Sequence, residues 1–218
     1  MKGFLITIEG MDGAGKTTQI RFIKEFFEKL NHKVLITREP GGTIIGEKIR
    51  EVVLDKEHQE MAFTTEALLY AASRAQLVNQ VILPALERGE IVICDRFIDS
   101  SLVYQGKGRG LGYDKIKEIN DFATQGLSPH LTILLNIDPQ EGLKRIVSRG
   151  KEDRLELEKI HFHKQVHAAY MDLAGMYPER IHVIDACKSI ELIQSEIQYL
   201  LENLLKKGDY YEIGNCNC

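Results

Sequence analysis

No stretch of this chain approaches the roughly 20 consecutive apolar residues that a membrane-spanning helix needs. Positive charge is not in excess either: 28 Lys and Arg stand against 32 Asp and Glu, a net charge of −4. A general nucleic-acid surface is therefore not expected, since such domains are usually basic; a local basic pocket for phosphates stays open. Cysteine is sparse. Cys94, Cys187, Cys216 and Cys218 include no zinc-type CxxC pair, and the first two fall in apparent strands. A reducing, cytoplasmic compartment is expected. The N-terminus has a single Lys followed by a strand that the fold needs, so no signal peptide is read. Internal repeats and linkers are also missing. The 218 residues, 44% hydrophobic, suffice for one α/β domain with a full core and are too few for two.

What is present is concentrated at residues 10–17. Gly10-Met11-Asp12-Gly13-Ala14-Gly15-Lys16-Thr17 fits G-x-x-x-x-G-K-[ST], the phosphate-binding loop of nucleoside-triphosphate enzymes. Phe4-Leu5-Ile6-Thr7-Ile8 precedes it as a buried strand, and Ile20, Ile23, Phe27 and Leu30 follow at helical spacing. Strand, glycine loop and helix start together make an anion site. Backbone N–H groups converge on phosphate and the helix dipole adds positive potential. Lys16 is placed for the β- and γ-phosphates, the Thr17 hydroxyl for Mg²⁺, and the ATP-binding run extends from Gly10 to Thr18.

Strand-like runs recur at 33–37, 91–94, 131–137 and 181–184, with helical stretches between them. Short apolar strands alternating with helices predict βαβ units. The expected fold is a three-layer α/β sandwich, with a parallel five-stranded sheet covered by helices on both faces. Asp138-Pro139 reads as an N-cap followed by proline in the first turn. Ile190, Ile193, Ile197, Leu200 and Leu204 predict a last amphipathic helix. A single domain is expected over residues 1–206, with a charged lid at about 148–158 and a loose tail at 207–218. His161, His163 and His167 share a helix after the lid, but no acid or cysteine accompanies them and no metal site is read there.

Ile91-Val92-Ile93-Cys94-Asp95 ends a buried strand with an acid. Ligands of α/β sheets sit beyond the carboxyl ends of the strands, so Asp95 is placed to hold Mg²⁺, directly or through water. Arg96 follows, and a guanidinium beside two phosphates can bridge both. Asp95-Arg96-Phe97 does not stand alone. Thr37-Arg38-Glu39-Pro40-Gly41-Gly42-Thr43, Tyr70-Ala71-Ala72-Ser73-Arg74 and Ser100-Ser101-Leu102-Val103-Tyr104-Gln105-Gly106 occur around it. With these four segments in this order, the chain resembles bacterial thymidylate kinases from residue 3 to about 205.

That resemblance implies ATP- and Mg²⁺-dependent phosphorylation of dTMP to dTDP in dTTP biosynthesis, by a cytoplasmic homodimer without nucleic-acid or membrane partners. Tyr70 would stack on the thymine ring, at a position that is often Phe in the family, and Arg74 would hydrogen-bond the base. Ser101 and Gln105 would meet the base edge, and Tyr104 would pack where a 2′-hydroxyl would otherwise sit. Asp12 would approach the 3′-hydroxyl or the Mg²⁺ shell. Arg38, Arg50 and Arg96 would surround the acceptor monophosphate, beside Glu39, whose bond to Pro40 is a candidate cis peptide. Some family members carry a catalytic arginine within the phosphate loop. Here Met11, Asp12, Gly13 and Ala14 include no basic residue. The lid arginines Arg149 and Arg154 are then the expected source of that charge, with Arg149 preferred. A deoxynucleoside kinase or another phosphate-loop phosphotransferase is the alternative. A partition ATPase would carry a second lysine at position 11, and a GTPase would need Asn-Lys-x-Asp where this chain has Asn136-Ile137-Asp138-Pro139.

Overall fold

The computed structural model describes residues 3–147 and 153–207. Five strands form one parallel sheet in the order β2-β3-β1-β4-β5: β1 Leu5–Gly10, β2 Val34–Arg38, β3 Ile91–Asp95, β4 Leu131–Asn136 and β5 Ile181–Asp185. β1 is central, pairing Ile8 with Asp95 of β3 on one side and Gly10 with Leu135 of β4 on the other. Its end is therefore flanked by the ends of its neighbours, the crevice in which open α/β sheets bind ligands. Every residue of β1 is buried, as expected of a strand covered on both faces.

The period of two divides the strands between faces. Ile6, Ile8, Ile91, Ile93, Ile133 and Leu135 pack under α1 (Lys16–Lys29) and α9 (Ile190–Lys207), against Ile23, Phe27, Ile193 and Ile197. The opposite face carries Leu5, Val92 and Cys94. These pack against Leu77 and Val78, where α3 (Phe63–Leu77) passes through a π-helical turn, Val78–Ile82, into α4 (Leu83–Glu87). Leu134, also on that face, packs with Val103, Tyr104 and the inner side of α8 (Ile160–Met176).

Helix phases shift slightly from the sequence pattern. Leu30 and Ile190 are exposed, because α1 stops at Lys29 and α9 buries Leu201 instead. Cys187 lies just past β5 and is exposed, not in a strand as expected. Thr43 caps α2 (Ile44–Leu54) through the Gly46 N–H at 2.9 Å. Asp138 accepts from the Gln140 N–H at 2.8 Å and begins α7 (Pro139–Val147), as its sequence predicts. The tail from 208 and the lid segment 148–152 lie outside the described residues; Asp153 to Lys159 belong to them.

Candidate active site

The phosphate loop leaves β1 and enters α1 through Gly15, whose φ of 90° is left-handed. Gly13 approaches α7 so closely that an added Cβ would lie 2.5 Å from the Gly142 carbonyl oxygen. Met11 and Ala14 turn their side chains into the core. Besides the Asp12 carboxylate, what the loop shows to a ligand is thus backbone N–H and Lys16, which form an anion cradle. Lys16 Nζ bonds the carbonyls of Gly10 and Met11, both at 3.2 Å, and lies 3.4 Å from Asp12 Oδ1. Thr17 and Thr18 are exposed at the start of α1.

One cleft opens against this loop at the carboxyl ends of β1, β2 and β3. It gathers Asp12, Lys16, Arg38, Glu39, Arg50, Tyr70, Asp95, Arg96, Ser101, Tyr104 and Gln105, all expected from sequence. Pro40 and Ser100, from the quoted segments, complete the lining with Leu54, Asp153 and Leu155, which sequence reasoning did not single out. The Glu39–Pro40 bond is cis. Arg50 donates to the Pro40 carbonyl at 3.0 Å, and Arg38 to Glu47 Oε2 at 2.8 Å.

Arg96 is the centre of the cleft. Its φ of 68° is unusual for a residue with a Cβ, and such conformations persist where surrounding contacts over-determine them. Its Nη2 donates to Asp12 Oδ1 at 2.9 Å, its Nη1 to Ser100 Oγ at 3.2 Å and Tyr170 Oη at 3.3 Å, and its guanidinium carbon lies 5.3 Å from the centre of the Tyr104 ring. Burial opposes the charge of Asp12, but Arg96 and Lys16 outweigh it and hold the carboxyl well below the usual carboxylate range. Asp95 Oδ1 is buried without a hydrogen-bond partner. An orphaned carboxylate oxygen beside a phosphate loop suits a hard cation or its water shell. Among the described residues no three His, Cys, Asp or Glu side chains cluster as a metal site.

Two expected site residues are held by protein partners behind the cleft. Arg74 is not among the residues that line it. It is 1% exposed, and all five of its N–H bonds are used inside the protein. Nε and Nη2 bond Glu39 Oε2, Nη2 also bonds the Phe97 carbonyl, and Nη1 bonds Ser101 Oγ and Asn120 Oδ1. The (i, i+4) spacing with Tyr70 is real, but Arg74 reaches past the cleft to neutralise a buried acid. The second is Arg154. The lid arginine is 8% exposed and is held by the Val53 carbonyl at 3.0 Å and Glu66 Oε2 at 2.7 Å, not directed at the phosphate loop. Arg149 lies outside the described residues.

Sequence reasoning missed Glu9. Fully buried at the end of β1, it accepts from the Phe97 N–H at 2.7 Å, the Ser100 hydroxyl at 2.6 Å and the Tyr170 phenol at 2.8 Å. Burial, then the charge of Asp99, raises its pKa. It also missed the pairing of Asp99 with Arg180 and of Glu66 with Arg109. A signal existed only for Glu9, as a charged residue closing an apolar strand. His167 Nε2 lies 2.7 Å from Asn136 Oδ1, which gives that histidine a structural partner.

The thymidylate kinase family model matches residues 8–197. A thymidylate kinase of Exiguobacterium sp. is 49% identical over 209 residues, 95% of this chain and 99% of the relative. One from Lactobacillus delbrueckii subsp. bulgaricus is 52% identical over 193 residues, 87% of this chain and 91% of the relative. The crystal structure of thymidylate kinase from Ehrlichia chaffeensis superposes with a TM-score of 0.75 at 31% identity, over 92% of this chain and 99% of that one. Family model, relatives and fold agree with a phosphate loop opening onto an arginine-centred cleft, and the chain belongs to the thymidylate kinase family.

Proposed function

We propose that this protein transfers the γ-phosphoryl group of ATP to dTMP, giving ADP and dTDP. The observation that carries the reading is the meeting of Lys16 and Asp12 with Arg96 in one cleft, whose far wall is Tyr70, Tyr104, Ser101 and Gln105. A triphosphate lies on the loop backbone and Lys16. An acceptor monophosphate lies between Arg96, Arg38 and Arg50. A terminal oxygen of the acceptor attacks the γ-phosphorus as its bond to the β-bridging oxygen breaks, and that oxygen leaves on ADP. The acceptor phosphate is already ionised near neutral pH, so no general base is required. The protein contributes position and positive charge.

Thr17 and Asp95 would hold Mg²⁺, which supplies charge neutralisation on the phosphate oxygens. Arg149 supplies further charge from the lid, and a closed lid excludes the water that would otherwise hydrolyse ATP. A neutral 5′-hydroxyl acceptor, as in a deoxynucleoside kinase, would leave the arginine cluster without a purpose. The homodimer expected of the family is supported by α2, α3 and α6 (Tyr113–Thr124), which pack side by side and expose Ile45, Val52, Leu68 and Phe122, the last 89% accessible. A cytoplasmic location, as the family resemblance implies, belongs to the same proposal.

A coupled ADP-release assay with a panel of nucleoside monophosphates and of nucleosides tests the proposal. Turnover with dTMP far above that with thymidine is expected. ADP release that no nucleotide accelerates, or preference for thymidine, would overturn it.

A further inference from the structure

Hydrogen bonding behind the cleft wall gives its base-facing end a fixed polarity. Gln105 lines the cleft, and its amide nitrogen donates to Glu66 Oε1 at 2.9 Å. Glu66 lies on α3, fully buried, and does not line the cleft. Arg109 Nε donates to its Oε1 at 3.2 Å, Arg109 Nη2 to its Oε2 at 3.1 Å and Arg154 Nη2 to its Oε2 at 2.7 Å. Burial opposes ionisation, yet Arg109, Gln105 and Arg154 outweigh it, and the Glu66 pKa is lowered.

An ionised carboxylate only accepts hydrogen bonds. Turning the Gln105 amide over would set its carbonyl oxygen against Glu66 Oε1, two acceptors in contact in a buried site, with a strong electrostatic penalty. Gln105 is therefore held with its nitrogen toward Glu66 and its carbonyl oxygen as the end left for a ligand. Ser101 is constrained in the complementary sense. Its oxygen accepts from Arg74 Nη1 at 3.0 Å, which leaves its own proton to give. Gln105 and Ser101 thus offer the cleft one acceptor and one donor.

A 4-oxopyrimidine carries a donor at N3–H beside an acceptor at O4. A 4-aminopyrimidine reverses both, with a bare N3 and an amino group. We propose that Glu66 is a specificity-determining positioning residue: it fixes the amide sense of Gln105 and so selects 4-oxopyrimidine monophosphates against 4-aminopyrimidine ones. The inference rests on the proposed pyrimidine monophosphate acceptor. It assigns no role to the 5-methyl group, so this device treats dTMP and dUMP alike. Arg154 shares the same carboxylate, which ties the described part of the lid to the base-reading amide.

The test is the ratio of kcat/KM for dTMP to that for dCMP, in the parent and in Glu66→Gln. N3-methyl-dTMP serves as a second probe because it lacks the N3 donor. An amide at position 66 can donate to Gln105 as well as accept from it, so both orientations of Gln105 become available. The dTMP-to-dCMP ratio is expected to fall roughly ten- to hundredfold, and rejection of N3-methyl-dTMP to weaken with it. General damage to folding or lid closure lowers both rates and leaves the ratio in place. A folded Glu66→Gln protein with the parent ratio overturns the proposal. If that variant does not fold, Gln105→Met decides, because it deletes the amide and keeps the Glu66 ion pairs; an unchanged ratio overturns the proposal equally. A parent without dTMP turnover overturns the proposed function and this inference together. A parent that turns over dTMP and dCMP alike overturns this inference alone.

Discussion

Tyr170 and Glu9, 161 residues apart in the chain, meet in a hydrogen bond of 2.8 Å, the phenol donating to Glu9 Oε2. Ser100 donates to the same oxygen, and the two hydroxyl oxygens lie 3.0 Å apart. With both protons turned toward Glu9, the remaining lone pairs accept from Arg96 Nη1. A buried acid at the end of β1 thereby aims the guanidinium at the centre of the cleft. The helix that follows the lid, α8, carries one of the two hydroxyls through which it does so.

Tyr170→Phe is expected to raise the KM for dTMP about tenfold while leaving that for ATP near its parent value. Arg96 loses one of three acceptors, and Glu9 one of three donors. The stability cost is about 1–3 kcal/mol, since a buried acceptor loses a partner. Steady-state kinetics and urea unfolding measure both effects. An unchanged dTMP constant would show that Ser100 alone suffices to aim Arg96.

Lys16→Ala is expected to lower turnover at least a hundredfold with the fold intact. Removing one preorganised cationic group from developing charge costs on the order of a hundred- to a thousandfold. The fold tolerates the change because Met11 and Ala14 anchor the loop in the core, whereas Lys16 bonds only loop carbonyls and Asp12. Activity within tenfold of the parent would remove this loop from the chemistry.

Glu39 makes a pH-dependent prediction. Burial pushes its pKa up from 4.5 to about 7, although Arg74 pulls the other way. The folded state then holds its proton longer than the unfolded state, so stability falls as pH rises through the window from about 4.5 to 7. Glu39→Gln lacks this titration. Its stability relative to the parent is expected to rise between pH 5 and pH 8, by the order of 3 kcal/mol at most. Urea unfolding of both proteins across that range checks the sign, and a parallel pair of pH profiles would refute it.

The parts of the site legible in the sequence are those fixed by local order. The loop, Lys16 and Thr17 come from a motif, and Asp95 and Arg96 from the end of an apolar strand. The illegible parts are charges compensated from far along the chain. Nothing near Arg74 in the sequence shows that Glu39, 35 residues away, takes two of its N–H bonds. Glu66, Arg109 and Arg154 each sit in ordinary polar sequence, and only the packing of α3, the turn after Gly108 and the lid brings them into contact. Periodicity reports which face of an element is apolar. It carries no information on which distant partner neutralises a buried charge.

The two lid arginines are expected to separate cleanly. Arg154 is buried, and its loss removes bonds to the Val53 carbonyl and to Glu66, although Arg109 stays on the same carboxylate. Arg154→Ala should therefore cost stability, about 2–3 kcal/mol, somewhat less than breaking an isolated buried pair. Its effect on turnover should follow from a looser lid and stay within about tenfold. Arg149→Ala should do the opposite. If it supplies charge to the transferring phosphoryl, turnover falls about a thousandfold or more. The dTMP constant should move little, because Tyr70, Arg96 and the Gln105 edge are untouched. Stopped-flow or coupled kinetics beside thermal unfolding of both single variants and the double variant decide the matter. A double variant near parent turnover would leave the lid as a cover alone, and the positive charge at the transferring group would then come from Lys16 and Arg96.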